Sequence, residues 1–351
     1  MSNQVRNVFG AVYTARGYVS FYDSLLQNVE QLYLIKSPIG SISSTVLTIL
    51  RDELRSQEKV LQVVHSPWNY TECDALILPE EKVAIMDARI YEAAVKPIDN
   101  LVPIIVDVLP EESSEQQAAV LREVDEELEK AYACYGKALV IHDDWERIYI
   151  SNMDFNKANQ VAEHICETIF ASNLQKEAKV MECYFGAATP DGNVDHILSL
   201  TEDVKRYYIK GRPGSGKSTM LKKIAQSAQQ NGYDTEIYHC ALDPNSLDMV
   251  LVRETGVAFF DSTAPHEYDP VRPSDEIIDM YEIAIQTGTD EKYAEQLETI
   301  IEKYTVEVKQ ARGHLVRAKE LRNTIVRKEL TTLEQSIVIH GTRELLQKIT
   351  G

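Results

Sequence analysis

The sequence predicts an α/β protein of two tandem domains with parallel sheets, each domain followed by a long helical hairpin. Three observations lead there. A strand, a glycine loop and a helix follow one another at Tyr207 to Ala225; Tyr33 to Asp87 repeats without a gap at Tyr207 to Asp261; and apolar residues recur at helical spacing after each compact segment.

The loop reads Gly211-Arg212-Pro213-Gly214-Ser215-Gly216-Lys217-Ser218-Thr219 and fits G-x-x-x-x-G-K-[ST] at every fixed position. The apolar run Tyr207 to Ile209 before it reads as a buried strand, and Met220 to Ala225 after it has helical spacing. That is a P-loop in its proper setting, so the domains are expected to be P-loop NTPase-like. The glycines permit backbone conformations in which successive N–H groups face phosphate oxygens, and the helix adds its positive N-terminal end. Lys217 is expected to reach the β- and γ-phosphates, Ser218 to ligate Mg²⁺, and Thr219 to line the loop near the α-phosphate. With no N-K-x-D or T-K-x-D guanine signature, ATP is the expected nucleotide.

A second buried strand, Gly256 to Asp261, ends in an acid, which places Asp261 beside the metal's water shell at the carboxyl end of the sheet. Lys217 and Asp261 are therefore the candidate catalytic pair, and Ser218 and Asp261 the candidate metal side. Ser262 stands where many hydrolytic NTPases carry a glutamate, so hydrolysis is expected to be slow. Asp243, Asp248, Glu254 and His266 are further candidates for handling a proton or substrate. Asp243-Pro244 and Ser246 also read as turn and cap chemistry in a short polar segment, Asp243 to Asp248, and His239 reads as a structural histidine at a strand end.

The repeat pairs residues 174 positions apart: Tyr33, Lys36, Gly40, Ser44, Thr45, His65, Asp74 and Asp87 meet Tyr207, Lys210, Gly214, Ser218, Thr219, His239, Asp248 and Asp261. A weaker echo upstream sets Phe9-Gly10-Ala11 on Phe185-Gly186-Ala187. The chain is a tandem duplication whose copies differ where chemistry resides, because Ser37, Ile42 and Ser43 replace Gly211, Gly216 and Lys217. The first loop has neither the lysine nor the inner glycine and is not expected to hold a nucleotide.

The expected organisation is a degenerate core over 1–110, a helical arm over 111–182, an intact core over 183–283, and a second arm with a C-terminal tail over 284–351. Pro110 to Ser114 and Pro270 to Ser274 read as linkers. Leu121, Val124, Leu128, Ala131, Tyr135, Ala138, Ile141, Trp145 and Ile148 form one seam; Leu297, Ile300, Tyr304, Val308, Ala311, Leu315, Ala318 and Ile325 form its counterpart. Ser151-Asn152 suggests a hairpin into a second helical stretch, Asn156 to Val180, and Thr331 to Gly351 reads as a helical tail. Such arms pack on each other and on the cores, or serve a homodimer or protein partner.

A net charge of -19 over 351 residues argues against broad nucleic-acid or anionic-membrane binding. Cys73, Cys134, Cys166, Cys183 and Cys240 show no C-x-x-C pair, the N-terminus carries no signal-peptide pattern, and no apolar run reaches the roughly 20 residues of a membrane span. A cytoplasmic protein with reduced thiols is expected.

On Thr14-Ala15-Arg16-Gly17 followed by Phe21-Tyr22-Asp23, on Gly211 to Thr219, on His239-Cys240 with Asp243-Pro244 and Ser246-Leu247-Asp248, and on Asp261 to His266, the chain resembles a family of bacterial tandem P-loop ATP-binding proteins, described as ATPases or nucleotide kinases. The resemblance covers nearly the whole chain. It implies a P-loop α/β fold and ATP binding; glycine is usual in that family where this chain has Ser262. The reading that follows is a slow Mg²⁺-dependent ATPase. Its alternatives are a small-molecule or nucleotide kinase whose acceptor Asp243, Asp248 or His266 would hold, and an ATP-gated interaction protein in which Arg16 or Arg89 of the degenerate half serves as an arginine finger.

Overall fold

The computed structural model describes residues 5–37, 42–98, 101–109, 114–326 and 331–350. The linker at Pro110 to Ser113 and the first copy's Gly40 lie outside these residues.

The first half runs β1 (Val5–Phe9), β2 (Ala11–Thr14), β3 (Gly17–Ser20), α1 (Tyr22–Leu26), β4 (Gln31–Lys36), α2 (Ile42–Ser56), β5 (Leu61–His65), β6 (Cys73–Leu78), β7 (Val83–Asp87), α3 (Ala88–Ala94) and β8 (Ile104–Asp107). Two helices follow, α4 (Glu115–Ile150) and α5 (Phe155–Ile169). The second half repeats the order: β9 (Val180–Cys183), β10 (Gly186–Thr189), β11 (Gly192–Asp195), α6 (Ile197–Leu200), β12 (Lys205–Lys210), α7 (Lys217–Gln230), β13 (Thr235–His239), β14 (Leu247–Val252), β15 (Val257–Asp261), β16 (Glu276–Asp279), α8 (Met280–Ala284), α9 (Thr289–Lys292), α10 (Ala294–Ile325) and α11 (Thr332–Thr350).

Duplication is visible in the hydrogen bonding. One six-stranded sheet has the order β1-β5-β6-β7-β4-β8 and the other β9-β13-β14-β15-β12-β16, the same topology element for element. Each is parallel except for one strand, β6 or β14, which runs antiparallel to both neighbours. The polar segment read at Asp243 to Asp248 thus ends in a strand, because Leu247 already pairs with His239. Both sheets carry the same irregularity, between Val64 and His65 and between Tyr238 and His239, which leaves Asp74 and Asp248 as the extra residues of matching bulges. At the N-terminal hairpins the structural match is displaced by one residue from the sequence echo: Thr14 Oγ1 donates to Gly17 O and Thr189 Oγ1 to Gly192 O. Phe9 and Tyr184 exchange both backbone hydrogen bonds, at 2.9 and 3.0 Å, so equivalent residues of the two halves meet each other.

Strand alternation divides the core as period-two geometry requires. Leu32, Leu34, Ala75, Ile77, Ala84 and Met86 of the first sheet share one buried cluster with Tyr208, Tyr238, Met249, Leu251, Ala258 and Phe260 of the second, along with α1 and α6 residues. The opposite faces are covered by helices, and here the halves exchange parts. α5 packs on α7 and α8 of the second half, while α11 returns to α2 of the first, burying Val338, Leu345 and Ile349 there.

The long helices also find partners across the duplication. α4 begins at a capping box in which Ser114 and Gln117 bond reciprocally, and it packs along α10 over most of its length. Contacts run from Glu127 with His314, through Lys137 with Glu307, to Ile148 and Tyr149 with Leu297 and Ile300, which makes the pair antiparallel. The turn expected at Ser151-Asn152 is present, but the helix beyond it leaves α4 for the second core and stops at Ile169 rather than Val180. Beyond its end, Asn173 accepts from the Gln175 amide in a turn. No helix among the described residues is long and apolar enough to cross a membrane.

Candidate functional site

Between β12 and α7 the backbone needs glycine at three places. Gly211, Gly214 and Gly216 have φ of 151°, 75° and 88°, all in the region that L side chains rarely adopt. Gly211 also faces Ser215, whose Oγ would lie 2.4 Å from an added Cβ. Ser215 is fully buried and ties the turn by donating its hydroxyl to Arg212 O at 2.7 Å. The loop therefore wraps onto the N-terminus of α7 with little room for alternatives.

Lys217, 8 % exposed, donates its Nζ to Arg212 O at 2.9 Å and lies 3.6 Å from Asp261 Oδ2. β12 and β15 are immediate neighbours, with Ile209 opposite Asp261, which is why the loop and the strand-end acid meet. Thr263 holds the other Asp261 oxygen through its amide at 3.1 Å and its hydroxyl at 2.6 Å. Ser218 Oγ accepts from the Leu247 amide at 3.0 Å, joining the loop helix to the start of β14. Asp248, the bulge residue, neighbours Asp261 across β14 and β15; burial and the charge of Asp261 push its carboxyl upward. A hydroxyl and two carboxylates are hard oxygen donors, the set that suits Mg²⁺.

The other predicted residues separate. Arg212 turns outward, its Nε and Nη2 on Asp290 at 3.1 and 2.9 Å, so Arg212 and Pro213 contribute backbone to the loop. Thr219 is exposed on the first turn of α7. His266 lies 3.0 Å from Asp195, which holds it above its usual range against the effect of burial. His239 is structural, as expected, bonded to Pro244 O and Glu182 and stacked on Phe21 at 4.1 Å. Glu254 lies in the turn between β14 and β15, at the opposite end of β15 from Asp261, where it accepts from the Asp234 amide.

Two groups reach this site from the first half. The β2–β3 hairpin extends Arg16, whose Nε donates to Asp243 Oδ1 at 2.8 Å. The last turns of α4 rest on the loop itself: a Cβ on Gly214 would lie 2.5 Å from Glu146 O and 2.8 Å from Glu146 Cα. Glu146, His142 and Asp143 bring one ligand-type atom each within 4.8 Å of one another. Burial raises the Glu146 carboxyl, with the Asp143 charge adding to it, while Lys217 and the Gly214 amide act in the opposite sense; burial and then Lys217 lower His142. Sequence reasoning did not find these residues. Their one signal is that polar residues cluster on a helix between the apolar positions Ile141 and Ile148.

The equivalent place in the first half is filled differently. Ser43, at the lysine position, donates its hydroxyl to Asp87, and Arg89 Nη2 lies 2.8 Å from Asp87 Oδ2. Arg89 thus supplies to its own half the positive charge that Ser43 lacks. Its guanidinium holds the Asp87 carboxyl low against the effect of burial. Asp74, buried beside Asp87, is pushed up to about 7 by burial first and by Asp87 second. A carboxyl raised above its unfolded value contributes stability that is complete below about pH 4 and disappears as pH rises to 7. Asp74→Asn should therefore gain stability relative to the parent chain across that window, by about 4 kcal/mol in total. Denaturant unfolding of both proteins at pH 4, 5.5 and 7 checks this; a constant difference would refute it.

Compared with family models, with curated proteins and with solved structures, the chain matches none.

Proposed function

We propose that the chain is an ATP-binding P-loop NTPase whose second half hydrolyses ATP slowly with Mg²⁺, the first half serving as scaffold. The observation that carries this reading is the loop at Gly211 to Ser218: three positive-φ glycines and a buried lysine lead into the N-terminus of α7, with the lysine Nζ 3.6 Å from a strand-end aspartate. Backbone amides and Lys217 would take the phosphates, because an anion at a helix N-terminus gains from both the unpaired N–H groups and the helix dipole. Ser218 and Asp261 would hold Mg²⁺, with Asp248 behind Asp261; the ion would neutralise charge on the β- and γ-phosphate oxygens.

The contact of α4 with the loop favours a second, compatible reading, in which nucleotide binding shifts the α4–α10 pair and so gates an interaction. In the kinase reading, two acceptor-holding candidates, Asp243 and His266, are already engaged by Arg16 and Asp195.

Equilibrium binding of ATP and steady-state phosphate release by the unaltered chain, with and without Mg²⁺, test the proposal. Micromolar binding with Mg²⁺-dependent release is expected. A chain that neither binds nor hydrolyses ATP leaves the loop as a structural relic.

A further inference from the structure

Resting on that reading, we propose that Glu146, carried across from the first half's arm on α4, is the catalytic carboxylate of the second half's site. It takes a proton from the water that attacks the terminal phosphate.

The position after Asp261 offers no group for this task. Ser262, next after Asp261, is fully buried, with its hydroxyl donating to Tyr268 O at 2.8 Å and accepting from the Tyr268 amide at 3.1 Å. It faces a loop of its own domain and not the phosphates. Most carboxylates around the loop are engaged elsewhere. Asp261 is held by Thr263 and Lys217, Asp243 by Arg16, Asp195 by His266 and Tyr268, and Asp290 by Arg212 and Tyr149. Asp248 stands behind Asp261 on the metal side.

Glu146 differs in three respects. Its main chain touches Gly214, so its place over the loop is set by close packing. Its carboxyl feels the charge of Lys217, a group that would meet the nucleotide's terminal phosphates. Burial raises its pKa, as suits a group that must accept a proton near neutral pH, and His142 Nδ1 lies 3.7 Å away.

The step balances as follows. The water oxygen bonds to the γ-phosphorus while the bond from that phosphorus to the β,γ-bridging oxygen breaks. ADP departs with the bond's electron pair, and the water proton passes to Glu146, then to solvent. Half a site thus lies in each repeat, which gives the arm exchange a chemical consequence.

The test uses the full chain. Glu146→Gln keeps the shape and the contact with Gly214 but cannot take the proton. It should lower phosphate release about 100-fold or more while ATP affinity stays within about 3-fold, so that nucleotide recovered from the protein after incubation remains ATP. Asp144→Asn, on the exposed side of α4 where Asp144 pairs with Arg147, should leave both quantities unchanged. Release that depends on Lys217 but is indifferent to Glu146→Gln overturns this assignment alone. Tighter ATP binding with equal or faster release also overturns it, since Glu146 would then be a plug on the loop. A parent chain without turnover overturns this assignment together with the functional reading.

Discussion

Lys217→Ala is expected to weaken ATP binding by about two to three orders of magnitude. Truncating one partner of a buried, hydrogen-bonded charge pair costs roughly 2–5 kcal/mol, and no other lysine in the glycine loop can replace the lost ammonium. The neighbouring positive charges are committed, Arg212 to Asp290 and Arg16 to Asp243. The fold should survive, because Thr263 still holds Asp261 through two hydrogen bonds once the Lys217 ammonium, 3.6 Å away, is gone. Titration calorimetry with ATP and Mg²⁺, paired with a thermal melt, separates the two effects. Unchanged affinity in a folded variant would remove the phosphate-binding role from the loop.

Gly214→Ala is expected to cost about 2–4 kcal/mol of stability, from a positive-φ penalty and overpacking acting together. The glycine sits at φ 75°, and the new methyl group would meet the α4 main chain at Glu146 within 2.5 to 2.9 Å. A flexible side chain could step aside more readily than main chain in the last turns of a helix packed on α10. α4 would have to lift from the loop and take Trp145, packed against Tyr304 of α10, with it. Tryptophan emission in a Trp68→Phe background, where Trp145 is the remaining tryptophan, should change along with the melting temperature. Gly313→Ala is the control: Gly313 lies within α10 with nothing near an added Cβ, and the substitution should stabilise by about 0.5–1 kcal/mol. Equal effects of the two substitutions would show that the α4 contact carries no energetic weight.

Much of the intact loop was legible because its physics is local. Positive-φ glycines, a lysine and a helix start must be adjacent in sequence to form one concave set of N–H groups, so Gly211 to Ser218 could be read directly. Asp261 was legible for a related reason: a buried strand beside the loop strand must end at the same edge, and its last residue faces the site. The degeneracy of the first loop was equally plain from Ser37, Ile42 and Ser43. Its repair was not, since Arg89 stands two residues beyond Asp87 in sequence and becomes a substitute cation only once β7 brings Asp87 beside Ser43. β14 escaped notice because Asp243 to Asp248 looks like turn chemistry, and the strand's antiparallel pairing depends on neighbours distant in sequence.

By itself, the amino-acid order determined the duplication, the α/β class, the apolar seams of the two long helices and the glycine loop that awaits a nucleotide test. All of these arise from short-range periodicity or from comparing one stretch of chain with another. Only the tertiary structure decided which helix lies against which core, that α4 and α10 pair with each other, that Glu146 of the first half lies against the loop of the second, and that Arg16 binds Asp243. Seams of alanine, larger aliphatic and aromatic residues bury almost any similar partner. Which partner they bury follows from the shared core of the two sheets, whose packing fixes where each arm begins and ends.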